Sequence, residues 1–298
     1  PLKIGVIAPM TGGAAQIGKD MTNGMQMWLD ENRGQMAGRK VEVIVEDSQG
    51  LPNVALTKLQ KLVERDGVQV LVGEVFAHIG YAMAPKVDEY RIPMLYPVIA
   101  ADDLTQRKPS KWVVRTGWAS SQPNHPFGEY AAKTLGYKRV VTVAIDYAFG
   151  WEQVGGFQKT FEDCGGRITQ KIWPPLGTID FGPYIPTIKK DADAIFTLMA
   201  GPMSLQFPKQ LAAAGINKPV LGGGTSYDEF VLPSMGDEVI GHISAPQYSA
   251  ALDTPKNDAF VKAYRAKYGK GPSYYSEGNY TAAQMIHAVM KKTKGQWP

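Results

Sequence analysis

The sequence predicts an α/β protein of two lobes, each a doubly wound parallel sheet, and three observations predict it. Short apolar runs rich in Val and Ile alternate with amphipathic helical stretches along the chain. The alternation completes one set of elements near Tyr96 and then starts again. The length, 298 residues, is enough for two separate cores. Strands that alternate with helices pair in parallel, because the crossover helices cover both faces of the sheet.

Taken in order, residues 2–8 form a buried strand, apolar and β-branched, stopped by Pro9. Residues 18–32 are helical, with Met21, Met25, Trp28 and Leu29 on one face. A strand at 41–45 ends in the polar turn Glu46, Asp47, Ser48. The helix at 53–65 presents Leu56, Leu59, Leu62 and Val63, and a strand follows at 68–72. A helix at 79–90 and a strand at 93–96 close the first set. The second set reads helix 126–135, strand 139–145, helix 150–163, strands 167–173 and 194–198, helix 204–214 and strand 219–221. The remaining stretch is helical, with stripes through Phe260 and Tyr264, and through Tyr280, Ala283 and Ile286.

Composition excludes several classes. Hydrophobic residues make up 44% and charged residues 20%, which suits a folded domain. The 32 basic and 28 acidic residues are interspersed, so the net charge of +4 forms no nucleic-acid stripe. No apolar run reaches the length of about 18 residues that a membrane-spanning helix needs. The chain opens at Pro1 and enters its first strand almost at once, so a mature product with its signal peptide removed is expected. Cys164 is the only cysteine; it reads as a small buried hydrophobe at a helix end, with no base beside it to make it a nucleophile.

Gly13 to Lys19 matches G-x-x-x-x-G-K, but the next residue is Asp20 where a phosphate loop needs a Ser or Thr hydroxyl for magnesium. What survives is a glycine-rich turn at a helix N-terminus, with Thr11 beside it, that suits an anion. The stretch Gly222, Gly223, Gly224, Thr225, Ser226, Tyr227 lacks the last glycine of a dinucleotide fingerprint. It reads as a loop whose amides and hydroxyls face a crevice. His78, His125, His242 and His287 have no metal-ligand spacing, so neither metal nor cofactor is expected. His125 reads as a solvated loop residue and His287, on a helix, as surface or lobe packing. His78 lies just past a strand end, where open α/β sheets bind ligands. No nucleophile elbow or Ser/His/Asp order is present, so no enzyme is expected.

Several stretches, in order along the chain, resemble the branched-chain amino-acid-type periplasmic binding proteins of ABC transporters. They are Lys3 to Gly12, Glu46 to Gln49, Asp146 to Gly150, Thr178 to Phe181 with Asp193 to Ile195, and the late Phe260, Tyr264, Tyr268, Gly269 and Tyr280. The resemblance implies the type I fold, with residues 1–117 and 249–298 in lobe 1 and 118–248 in lobe 2. The crossovers are expected near 115–120 and 244–249, with a ligand cleft between lobes that hinge shut. The family chain continues further and returns to lobe 2, a return that is missing here or was trimmed. The implied partners are a small carboxylate and a transporter permease, and a monomer is expected.

The resemblance also places the ligand. Ile17 matches an aromatic lid position. Ala77 and His78, with Phe76 just before them, match one strand end that holds the ligand carboxylate, and Val98, Ile99 and Ala100 match the other. Phe149, Gly201, Pro202, Thr225 and Ser226 match contacts from lobe 2, and Tyr147, Met203 and Tyr248 are further candidates for the lining there. The amino-acid binders carry an acid near Thr225 for the ligand ammonium, whereas here the nearest acids are Asp228 and Glu229. A buried ammonium without a partner costs several kcal/mol, roughly. The lining is aromatic through Phe76, Tyr96, Tyr147 and Phe149. An aromatic carboxylic acid, of benzoate or phenylpropenoate type, is therefore expected. A branched-chain amino acid, or a ligand-sensing regulator on the same fold, stands as the alternative.

Overall fold

The structure is a computed structural model that describes residues 1–297. The chain divides into two compact units. Unit 1 holds Pro1–Trp118 and the stretch from Ala250 onward, and unit 2 holds Ala119–Ser249.

Unit 1 opens with β1 (Leu2–Ala8), α1 (Ala15–Glu31), β2 (Gln35–Met36), β3 (Arg39–Asp47), α2 (Pro52–Glu64), β4 (Val70–Gly73), α3 (Ala77–Tyr90), β5 (Met94–Tyr96) and β6 (Val113–Arg115). Among the described residues its sheet runs β2-β3-β1-β4-β5-β6. All pairs are parallel except the β2–β3 hairpin. The chain starts in mid-sheet, winds outward to β3, then crosses back over β1 to β4. Doubly wound sheets have their switch point there, between β1 and β4. β1 is buried along nearly its whole length, as a central strand covered on both faces must be.

Unit 2 contains α4 (Asn124–Lys133), β7 (Arg139–Ala144), α5 (Ala148–Asp163), β8 (Arg167–Ile172), β9 (Ala194–Leu198), α6 (Pro202–Ala213), β10 (Val220–Gly222) and β11 (Ile243–Ser244). Its sheet, β11-β10-β9-β7-β8, is parallel throughout. In order of appearance the strands repeat the winding of unit 1, and the switch point falls between β7 and β9. The fold class expected from the sequence, two doubly wound parallel sheets, is the one observed.

Two further helices, α7 (Pro255–Tyr268) and α8 (Tyr274–Lys292), return to unit 1. α8 crosses α1 at backbone contact: a Cβ on Gly24 would lie 1.9 Å from the carbonyl oxygen of Ser276. Asp20, 1% exposed, is held at the same crossing by the Lys270 ammonium and by the Ser273 hydroxyl at 3.0 Å. The residue that breaks the phosphate-loop pattern thus faces α8, as an internal ion pair.

The structure corrects several sequence expectations. β2, β6 and β11 went unread, and α1, α3, α5 and α6 begin two or three residues earlier than expected. His125 lies in the first turn of α4, half-buried, and Cys164 is half-buried at the end of α5. His287 packs its ring 4.9 Å from Trp28.

Candidate functional site

Ligands of open α/β sheets bind beyond the carboxyl ends of the strands at the switch point. In unit 1 that edge is built by the loops after β1, β3, β4 and β5. Two acids lace it together. Asp47, at the end of β3, accepts from the amides of Met10 and Gln49 at 2.8 Å and from the Thr11 hydroxyl at 2.5 Å. Burial pushes its carboxyl up, but the Thr11 hydroxyl and the amides outweigh burial and leave it below the usual range. Thr11 was expected to offer its hydroxyl to an anionic ligand. Its proton goes instead to Asp47, because the end of β3 lies beside the end of β1 in the sheet.

Glu74, just past β4, is fully buried. Its Oε2 accepts from the amides of Val75 at 2.7 Å and Phe76 at 3.0 Å, and its Oε1 meets the Ser48 hydroxyl. Burial raises its carboxyl above the usual range, and the Ser48 hydroxyl and the two amides only partly offset this. Nothing in the sequence marks Glu74, since a lone acid in a loop carries no pattern.

Phe76 is the N-cap of α3, and Ala77 and His78 start its first turn. Amides there have no intrahelical acceptor, and the helix dipole favours an anion in front of them. Phe76 and His78 hold their rings 5.7 Å apart, and burial keeps the half-buried His78 imidazole below its usual pKa and so neutral near neutrality. Val98, Ile99 and Ala100 form the neighbouring loop, all buried. Arg115 fixes that loop from behind, donating to the carbonyls of Ile99 at 2.9 Å and Ala101 at 2.5 Å. Ile17 is buried in the first turn of α1.

Tyr96 departs from the expected lining. It is fully buried under α3, and its hydroxyl donates to the Gly80 carbonyl at 3.1 Å. It is a core residue that supports the first turns of α3.

In unit 2 the switch-point edge comprises the loops after β7, β9 and β10. Tyr147 is the N-cap of α5, and its ring lies 6.1 Å from that of Phe149 in the first turn. Gly201, at φ +56°, is the N-cap of α6, and Pro202 is its first residue. Met203 is buried, with its sulfur accepting from the Gly177 amide at 3.3 Å. Tyr248 is buried near the end of the unit.

The glycine loop after β10 corrects a second expectation. The Thr225 hydroxyl donates to the Met199 carbonyl at 2.6 Å. The Ser226 hydroxyl donates to the Thr197 carbonyl and accepts from the Met199 amide, each at 3.1 Å. The Gly223 amide donates to the Thr197 carbonyl at 2.8 Å, and the Gly224 amide to the Gln153 side chain at 3.3 Å. These groups tie the β10 loop to β9 and α5, so the hydroxyls expected to meet a ligand are bound to backbone. Gln153, fully buried, also accepts from Asn124 at 2.5 Å. Asp228, two residues past Ser226, is 2% exposed, and its Oδ1 accepts from the amides of Phe230 at 3.0 Å and Val231 at 3.2 Å. Among the described residues no cluster of His, Cys, Asp and Glu could hold a metal ion, and no helix is long and apolar enough to cross a membrane.

A periplasmic binding protein family model matches residues 1–297. A Leu/Ile/Val-binding protein homolog of Brucella melitensis is 29% identical over 303 residues, covering 99% of this chain and 77% of that protein. Two solved ABC transporter solute-binding proteins are close in structure. One, from R. palustris in complex with benzoate, is 29% identical with a TM-score of 0.93, covering 99% of this chain and 82% of that one. The other, from Rhodopseudomonas palustris in complex with 3,4-dihydroxybenzoic acid, is 32% identical with the same TM-score and coverage.

Proposed function

Because the chain belongs to the periplasmic binding protein family, we propose that it is the extracytoplasmic solute-binding component of an ABC importer. Its solute is a small carboxylic acid, aromatic, of benzoate or phenylpropenoate type. One observation carries the choice of solute: an aromatic pair flanks the helix N-terminus at each switch point. Phe76 and His78 stand at α3, and Tyr147 and Phe149 at α5. A carboxylate suits the first-turn amides of α3, and a ring suits offset contact with the aromatic side chains. The solved relatives that hold benzoate and 3,4-dihydroxybenzoic acid support this reading.

The ligand drives closure by binding the closed state more tightly than the open one, since equal affinity for the two forms shifts nothing. The closed monomer then delivers the acid to a permease. Binding involves no chemistry.

Asp228 favours a second reading, a branched-chain amino acid. It is a buried carboxylate near the position where an ammonium group would need a partner, and the Brucella relative carries a Leu/Ile/Val-binding name. A thermal-shift panel of benzoates, cinnamates, aliphatic acids and amino acids separates the two. A ligand at a hundredfold excess over its Kd stabilises the fold by about 2.7 kcal/mol. Shifts with benzoates or cinnamates alone are expected. Shifts with leucine or valine alone would transfer the assignment to amino acids.

A further inference from the structure

Glu74 has a place in ligand binding that its position past β4 makes concrete. It stands three residues before Ala77, and its Oε2 already takes the amides of Val75 and Phe76. The anion-favouring start of α3 therefore contains one carboxyl group of the protein's own, with no exposure to water. Among the described residues no Lys or Arg forms an ion pair with it. A second carboxylate placed at the amides of Ala77 and His78, three and four residues on, would repel it, and like charges repel strongly when one of them is buried.

We propose that the site takes up its carboxylate ligand together with one proton, which Glu74 carries on Oε1 against the Ser48 oxygen. This rests on the carboxylic-acid reading above. The geometry admits both protonation states. Oε2 keeps its two amides in either, and the Ser48 hydroxyl can donate to a carboxylate or accept from a carboxylic acid. Ser48 Oγ is itself anchored by the Gly50 amide at 3.2 Å.

The surrounding charges act in the same direction. Asp47 on the β3 side is an ionised carboxylate that raises the Glu74 proton affinity further. Tyr96, beneath α3 on β5, stays a neutral phenol, its ionisation pushed up by burial and by Glu74. His78, on α3, is kept neutral by burial. Arg115 reaches Tyr96 electrostatically while its guanidinium is bonded to the carbonyls of the 99–101 loop. Burial already lifts the Glu74 carboxyl in the free protein, and a bound anion lifts it again. Binding is then strongest at low pH. Between the free and the bound values affinity falls by up to about tenfold per pH unit, because one proton is exchanged.

The test is isothermal titration calorimetry on the wild-type chain and on Glu74→Gln, with benzoate, 4-hydroxybenzoate and leucine as probes. Two buffers of different ionisation heat, from about pH 5 to about pH 9, span the range in which a raised carboxyl titrates. Wild type should take up a proton with the acid it binds, approaching one per ligand at the maximum. Glu74→Gln should bind with an affinity independent of pH and exchange no proton. An affinity flat with pH and no proton uptake in wild type would overturn the inference, as would uptake that persists in Glu74→Gln. If that variant fails to fold, the wild-type stoichiometry decides, and Asp47→Asn should move the pH of maximal uptake downward. No heat with any probe would instead defeat the carboxylic-acid reading, and this inference with it.

Discussion

The two units wind their strands in the same order but fill and lace that order with different chemistry. The core of unit 1 is rich in methionine, with Met21, Met25, Met27, Met36, Met83 and Met94 all buried, and its buried rings are Trp and Tyr, such as Trp28, Tyr96 and Tyr264. The core of unit 2 is stacked with phenylalanine. Phe157 lies 4.4 Å from Phe196, 5.3 Å from Phe161 and 5.9 Å from Phe127, and Phe181 lies 5.2 Å from Phe207. The switch-point edges differ as well. Carboxyl groups, Asp47 and Glu74, tie the loops of unit 1. Amides and hydroxyls, from Gln153, Thr225 and Ser226, tie those of unit 2. Topology therefore follows the spacing of apolar residues rather than their identity. The identity decides how tightly each core is specified and which edge responds to pH.

The largest break in this contrast should come from Phe157→Ala. Truncating a fully buried ring that touches three others should cost about 3–5 kcal/mol in urea unfolding; a loss under about 1.5 kcal/mol would mean the stack can collapse around the cavity and differs little from the methionine core. Next is Gln153→Leu, which strands the Gly224 amide and leaves the Asn124 side chain only its bond to the Ser120 carbonyl. A buried group left unpaired costs about 1–3 kcal/mol. A neutral result would show that the unit 2 edge does not depend on this link.

The pH response should fall on unit 1. Glu74 has a raised carboxyl in the folded state, so the folded state binds more protons than the unfolded one. Its stabilising contribution is complete below the ordinary glutamate value. It declines as pH rises toward the folded value, with a slope of at most about 1.4 kcal/mol per pH unit. Denaturation midpoints of Glu74→Gln measured across that window should lose this component, and an unchanged slope would assign the titration to another group. Asp47 has the opposite sign: its depressed carboxyl contributes stability above the ordinary aspartate value that is lost as pH falls through the folded one. The smallest effect should be Met25→Leu, under about 1.5 kcal/mol, since methionine cores tolerate volume-conserving change.

The sequence carried the long elements well, because their apolar residues recur at periods a lone sheet or helix would leave exposed. It carried the edges poorly. β2, β6 and β11 are only two or three residues long and show no alternation. Ala37 takes φ +51° in the β2–β3 turn where Asn, Asp or Gly usually stands, and only Gly38 after it, at φ +79°, carries the usual signal. The helices at the switch points started early for a shared reason. Phe76, Tyr147 and Gly201 cap them with no side-chain bond, so the usual Ser, Thr or Asp signal was absent. Within the candidate site, the sequence marked which loops matter but not what their hydroxyls do. Thr11, Thr225 and Ser226 all find partners inside their own unit, and only strand adjacency reveals those partners. Tyr96 looked like a pocket aromatic and is a core residue for the same reason.

The crossing of α1 and α8 has a consequence for how the chain is made. Unit 2 is one unbroken stretch, whereas unit 1 is completed only by residues from Ala250 onward. Asp20 leaves the ribosome long before Lys270 and Ser273, the groups that hold it in the folded interior. Until they arrive, its carboxylate must stay hydrated, and the face of α1 that α8 covers must stay uncovered. The face of α1 that α8 covers is thus closed only after all of Ala119–Ser249 has been synthesised.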